Sequence, residues 1–162
     1  MRLQILMLYQ DDPQKCTAAK MIKFGLARPV RSVKGKGLVL SPFSDDILLP
    51  SDKHRQFLVG VDCSWNLADD SFFNNLGGIK RRLPPLLAGN PVNYSKIGKL
   101  TTVEALSASL FILGQQSQAI SLLDKFKWGH TFFELNQNLL EEYSGMQSQD
   151  EADEIAGQYG LG

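Results

Sequence analysis

An α/β architecture, a mostly parallel sheet followed by an all-helical lobe, is expected of this 162-residue chain on three grounds. Short, continuously apolar stretches alternate with helix-like ones through about residue 90. Strands of that kind are buried on both faces, as in parallel sheets with helical crossovers. At Thr101 the apolar spacing becomes helical, and no strand signal follows residue 92. The division expected is therefore an α/β domain over residues 1–92, with a basic N-terminal region, and an all-helical domain over residues 93–162. Between them runs an irregular loop rich in Pro, Gly and Asn, of a length that is usually functional or disordered. Its Leu, Val, Tyr and Ile residues argue against disorder.

Residues 2–9 alternate and are rich in Leu, Ile and Met, a first strand ended by Asp11, Asp12 and Pro13. A short helix over residues 15–25 stops at Gly25. GLVLSP, residues 37–42, is a brief strand ended by its proline. Ser51 can cap a short helix in LPSDKHRQ. Residues 57–62, FLVGVD, form a buried-type strand that runs into the polar cluster DCSW. DDSFFNN is a helical turn or two closed by Gly77 and Gly78, and PLLA, residues 85–88, reads as the last strand. Thr101 and Glu104 have the spacing of a capping box, in which each side chain satisfies an orphan backbone donor. Val103, Leu106, Leu110 and Leu113 follow on one helical face, and Gly114 closes the helix. Residues 117–128 and 129–143 read as further helices, the second with Phe132, Leu135, Leu139 and Tyr143 on one side. SQDEADEIAG is an acidic terminal helix or a frayed tail.

Composition is ordinary for a globular protein, with 43% hydrophobic and 21% charged residues. No apolar run approaches the roughly 20 residues that span a bilayer. MRLQILMLYQ is too short for a signal peptide and lacks a cleavage site. Cys16 and Cys63 form neither a disulfide framework nor a zinc motif, and a reducing cytoplasm is expected. Net charge is zero but unevenly spread. Residues 1–40 carry eight Lys/Arg against two Asp, residues 41–100 seven against six, and residues 101–162 two against nine. Nets of +6, +1 and −7 fit either a polyanion-facing N-terminal half or solvated faces on both halves.

Three expected strand ends carry unusual sequence, LSP, VDCSWN and AGNPVNYSKIGKL, and in a parallel sheet ligands bind beyond the carboxyl ends of strands. Asp62 beside Trp65 can hold a polar ligand group and stack a ring, or serve as a cap and a core indole. Cys63 has an apolar strand neighbour and no paired His, which argues against a nucleophile. His54 and His130 have no metal-like spacing, and there is no GxGxxG, Walker or HExxH motif. Lys15, Lys20, Lys23, Arg28 and Arg31 form one basic stretch and Arg81 and Arg82 another; they are candidate RNA phosphate contacts or solvated surface.

The stretches DDPQKCTAAKM, LSPFSDDILLPSD, VDCSWN, RRLPPLLAGNPVNYSKIGKLTTVEALSASLFILG and FKWGHTFFELNQNLLEEY cover nearly the whole chain. In that order they resemble the ribosomal-RNA aminocarboxypropyltransferases of the SPOUT-like, knotted class that act on small-subunit rRNA. The run from Arg81 is the most specific of them. Without a long acidic tail, the chain resembles archaeal members.

The resemblance implies a five-stranded parallel sheet with a trefoil-knotted crossing, residues 88–100 lying in that crossing and lining an S-adenosylmethionine pocket at the domain junction. It implies that Leu40 and Pro42 wall the adenine, that Trp65 packs beside the cofactor and that the Val61 carbonyl meets the ribose hydroxyls. Leu83 and Gly98 would read the adenine edge through their backbone. Leu100 and Ala105 would complete the apolar wall, and Thr17 and Thr102 would hold the cofactor carboxylate. Both threonines sit at expected helix starts, where free N–H groups favour an anion. The reaction implied is transfer of the 3-amino-3-carboxypropyl group to N3 of a uridine or (methyl)pseudouridine, releasing methylthioadenosine, with Asp62 a candidate to accept or orient the N3 proton. The family's N-terminal segment is sometimes described as metal-binding; with Cys16 alone there, no metal is expected. A methyltransferase of the same fold and a non-catalytic RNA-binding ribosome-assembly factor are the competing readings. The expected partner is small-subunit rRNA or a pre-ribosomal subunit, with no membrane contact, and the expected state is a monomer.

Overall fold

The computed structural model describes residues 1–7, 17–62 and 69–161. Its strands are β1 (Arg2–Met7), β2 (Arg28–Val30), β3 (Leu38–Leu40), β4 (Phe57–Asp62) and β5 (Ile79–Arg81). They form one sheet, parallel throughout, in the order β2-β1-β4-β3-β5. Six helices accompany it: α1 (Thr17–Lys23), α2 (Asp70–Asn74), α3 (Thr102–Ile112), α4 (Gln116–Leu123), α5 (Gly129–Tyr143) and α6 (Gln149–Gln158). A 3-10 turn spans Pro50–His54.

Long apolar strands sit where their periodicity placed them. β4 pairs with β1 along its whole length, from Arg2 opposite Phe57 to Met7 opposite Asp62. Two local expectations are corrected, and one strand had no expectation to match. β2, RPV, carried too little signal; its Pro29 has no N–H to give, which is tolerated because β2 is an edge strand paired only with β1. The last strand is Ile79–Arg81, not residues 85–88. Pro84 and Pro85 lack ladder donors, and Leu87 bonds to a helix rather than to the sheet: Asn136 of α5 accepts from Leu87 N at 2.8 Å and donates to Leu87 O at 2.7 Å. The Tyr143 hydroxyl donates to Pro85 O at 2.8 Å. Finally, the cap of the 3-10 turn is Leu49 rather than Ser51, because Pro50 is preset for the first helical position and Asp52 accepts from Leu49 N.

α3 begins on the expected capping box, Thr101 accepting from Glu104 N while Glu104 accepts from Thr101 N. It is buried on every side rather than along one stripe. Its polar members are paired, Ser107 to Ala119 O and Ser109 to Ala105 O. The acidic tail is a helix, capped by Ser148 and burying Ala152 and Ala156. A single buried cluster runs from Leu3 and Ile5 in the sheet through Leu106 and Leu110 to Tyr143 and Ala152.

Candidate active site

A cavity of about 760 Å³ opens at the carboxyl ends of β3, β4 and β5. That size suits a cofactor-sized ligand, and the position is where parallel sheets bind ligands. β3 contributes Leu40 and then Ser41 and Pro42; β4 contributes Gly60, Val61 and Asp62. The segment after β5 adds Arg82 and Leu83, and the loop adds Gly98, Lys99 and Leu100. Thr102 and Ala105 come from α3, and Thr17 from the start of α1. Nine of the ten residues to which the resemblance assigns cofactor contacts thus line one cavity; Trp65 lies outside the described residues. Asp62 is the last residue of β4, 5% exposed, and faces the same space.

The loop is built, not slack. Glu104 has no exposed surface, and its carboxylate accepts five hydrogen bonds. Oε2 takes the amides of Gly89, at 2.7 Å, and Asn90, at 3.2 Å. Oε1 takes Asn90 Nδ2 at 2.8 Å and both donors of Thr101. The capping residue of α3 therefore also ties down the loop that closes the cavity. Gly89 must be glycine here, since a Cβ would lie 2.5 Å from Phe132 N on α5. On the other side, Asn136 and Tyr143 hold residues 85–87. Burial, then the carboxylates of Glu142 and Asp153, push the Tyr143 phenol well above its ordinary value, so it remains a donor.

Thr17 and Thr102 open α1 and α3, and both line the cavity. Val103 N donates to Thr17 Oγ1 at 3.3 Å. A hydroxyl that accepts in this way still has its own proton to give to an anion. Gly60 makes the approach possible: a Cβ there would sit 3.1 Å from Thr102 Cγ2.

The basic residues divide. Lys20, Lys23, Arg28 and Arg31 are exposed. Arg81 turns inward, its Nε donating at 3.2 Å to Oδ2 of the buried Asp52. Arg82 donates to Ser44 O and lines the cavity. Lys15 lies outside the described residues. Sequence reasoning missed the loop-anchoring role of Glu104, the Asn136 clamp and Asp153, which α6 brings to the cavity. Only Glu104 left a signal, through its capping spacing. Among the described residues no group of three or more His, Cys, Asp or Glu could hold a metal ion.

Residues 38–160 match the family model described as "Ribosome biogenesis protein, C-terminal". Residues 1–35 match one described as "Possible Fer4-like domain in RNase L inhibitor, RLI". Iron–sulfur clusters are held by sets of cysteine thiolates; Cys16 is the one cysteine in that segment, so the donor set does not fit a cluster. The chain is 45% identical over 146 residues to the 16S rRNA aminocarboxypropyltransferase of Sulfurisphaera tokodaii, covering 88% of this chain and 86% of that protein. It is 41% identical over 162 residues to the protein of the same name from Methanococcoides burtonii, covering 97% and 94%. Its fold matches that of the SAM-dependent rRNA:acp-transferase Tsr3 from Vulcanisaeta distributa with a TM-score of 0.85 and 37% identity, over 99% of this chain and 93% of the other.

Proposed function

The chain belongs to the 16S rRNA aminocarboxypropyltransferases, transferases that use S-adenosylmethionine to modify ribosomal RNA, and we propose that its acceptor atom is N3 of a uridine, pseudouridine or methylpseudouridine of the small subunit. The observation that carries the residue assignment is the cavity, where strand ends, loop and α3 meet around apolar walls and a helix N-terminus. Those residues fit the donor. Leu40, Pro42, Val61, Leu83, Leu100 and Ala105 would enclose the adenosyl part, with the Leu83 and Gly98 backbone reading the adenine edge. Thr17, Thr102 and the Thr102 amide that opens α3 would hold the carboxylate. Trp65 would pack beside the methyl group.

When bound, S-adenosylmethionine supplies a sulfonium whose bond to the aminocarboxypropyl carbon breaks as the N3–carbon bond forms, and methylthioadenosine leaves. The protein's part is position. Transfer needs the nucleophile in line with the breaking bond at near-attack distance, so the threonine clamp selects which carbon faces the acceptor. Asp62, buried at the cavity wall, would accept or orient the N3 proton. The exposed Lys20, Lys23, Arg28 and Arg31, with Arg82 at the cavity, would meet RNA phosphates. Arg81 reaches that surface only by leaving Asp52.

The same reading takes residues 1–92 and 93–162 as two domains with the cleft between them. It takes residues 88–100 as the knotted crossing, supported by a chain that leaves β5 at the sheet edge and returns across the strand ends to α3 beside β4. It takes the protein as a cytoplasmic monomer working on the small subunit or its precursor; no helix among the described residues is long and apolar enough to cross a membrane.

The test uses S-adenosylmethionine labelled separately on the carboxyl carbon and on the methyl, with small-subunit rRNA unmodified at N3. Carboxyl label in the RNA without methyl label is expected. Methyl label alone would make the protein a methyltransferase. No label and no cofactor binding would leave an RNA-binding assembly factor.

A further inference from the structure

The loop that closes the cavity is anchored by buried bonds, yet it presents apolar side chains to solvent. Residues 86–98 fold back as a narrow hairpin, with Leu87 bridged to Ile97. Ala88 N donates to Lys96 O, Ser95 N to Ala88 O and Gly98 N to Leu86 O, at 2.7–3.0 Å. Buried Asn90 pins the tip: Oδ1 accepts from Asn93 N, and Nδ2 donates to Lys99 O and Glu104. From this frame project Val92, 85% exposed, Tyr94, 55%, and Ile97, 50%. They are three of the seven large exposed hydrophobics among the described residues, gathered within six positions. Between them Ser95 has φ +63, the one non-glycine in the left-handed region among the described residues. Such a conformation costs on the order of 1 kcal/mol and persists where the surroundings impose it, often at a ligand clamp.

Charge says what the patch faces. Residues 82–100, from the end of β5 through the loop, hold Arg82, Lys96 and Lys99 and no acid. Asn93 and Ile97 line the cavity, whereas Tyr94 does not, so its ring meets whatever approaches the cavity from outside. An exposed aromatic face with apolar neighbours and nearby cations is how proteins hold unpaired nucleobases, since every base has a π-face and every nucleotide a phosphate.

We propose that Tyr94, flanked by Val92 and Ile97, is a stacking platform for an unpaired base next to the target nucleotide, with Lys96 meeting the phosphate. This rests on the reading that ribosomal RNA is the substrate. The platform would fix where the target base enters relative to the cavity, and the anchored loop holds it in place before RNA arrives.

The test measures equilibrium binding of an unmodified small-subunit rRNA hairpin by the full chain, alongside S-adenosylmethionine affinity and label transfer. Tyr94→Ala is expected to weaken RNA binding by roughly 5- to 150-fold, the worth of one stacked base, with S-adenosylmethionine affinity unchanged. Tyr94→Phe should bind within about threefold of the original chain, because stacking needs the ring and not the hydroxyl. RNA affinity unchanged in Tyr94→Ala would overturn the proposal and leave the patch to a protein partner. Parallel loss of cofactor affinity would also overturn it, as a structural role for the ring. Should the alanine variant not fold, Tyr94→Leu replaces it; RNA affinity equal to that of Tyr94→Phe would count against stacking. Failure of the original chain to bind or modify RNA would refute the functional reading itself, a different result from any of these.

Discussion

Glu104 shows how one side chain can join local structure to a distant one. As the third residue of α3 it completes the capping box, and the same carboxylate gathers the amides of Gly89 and Asn90. Both oxygens are filled, each facing only donors. Glu104→Gln keeps the volume but must turn an NH2 group toward N–H groups. A buried donor left without its acceptor costs about 1–3 kcal/mol. We expect this variant to lose about 2 kcal/mol or more in urea unfolding and to bind S-adenosylmethionine poorly, because the loop loses its anchor. A Gln variant as stable as the original would mean that the donors do not converge on this residue. The Asn136 clamp on Leu87 works on the same principle, matching a backbone N–H and C=O with a side-chain amide.

Among the elements, the packing of α3 on β4 sets the site. Gly60 leaves room for Thr102 and Leu106 to close on the strand, and this brings the N-terminus of α3 to the cavity. The Cβ of Gly60→Ala would press on Thr102 Cγ2 at 3.1 Å and on Leu106 at 3.4 Å, so the helix start must shift by tenths of an ångström. Small misplacements of positioning groups are expensive in catalysis. Calorimetry on Gly60→Ala should show S-adenosylmethionine affinity down by on the order of tenfold, with the thermal midpoint little changed. Unaltered affinity would detach the threonine pair from carboxylate binding. α5 has the complementary task, holding residues 85–87 by Asn136 and Tyr143 so that the chain leaving β5 needs no further strand.

Across the whole molecule, charge is segregated along the chain, +6 in residues 1–40 and −7 after residue 100. If the N-terminal cations meet RNA, replacing Lys20, Lys23, Arg28 and Arg31 together by Gln should flatten the log–log salt dependence of RNA affinity by roughly 3, at about 0.7 per phosphate contact. A slope unchanged in that variant would place the RNA elsewhere. What could be read from the sequence was whatever neighbouring residues encode together. The runs of β1, β3 and β4, the Thr101–Glu104 box, the stops at Gly25 and Gly114 and the reach of α5 each depend on spacing within a few positions. The resemblance, carried by contiguous motifs, named residues that the fold then brought to one cavity. What the sequence could not show depends on partners far along the chain. β2 is three residues that become a strand only beside β1, and PLLA is apolar like a strand but is taken up by α5. Asp52 captures Arg81 from 29 positions away, and α6 carries Asp153 to the cavity. Periodicity records which face of a segment is buried but not against what. A hydrogen bond across 49 residues, such as Asn136 to Leu87, is decided only when the core closes and leaves that amide no water to bond instead.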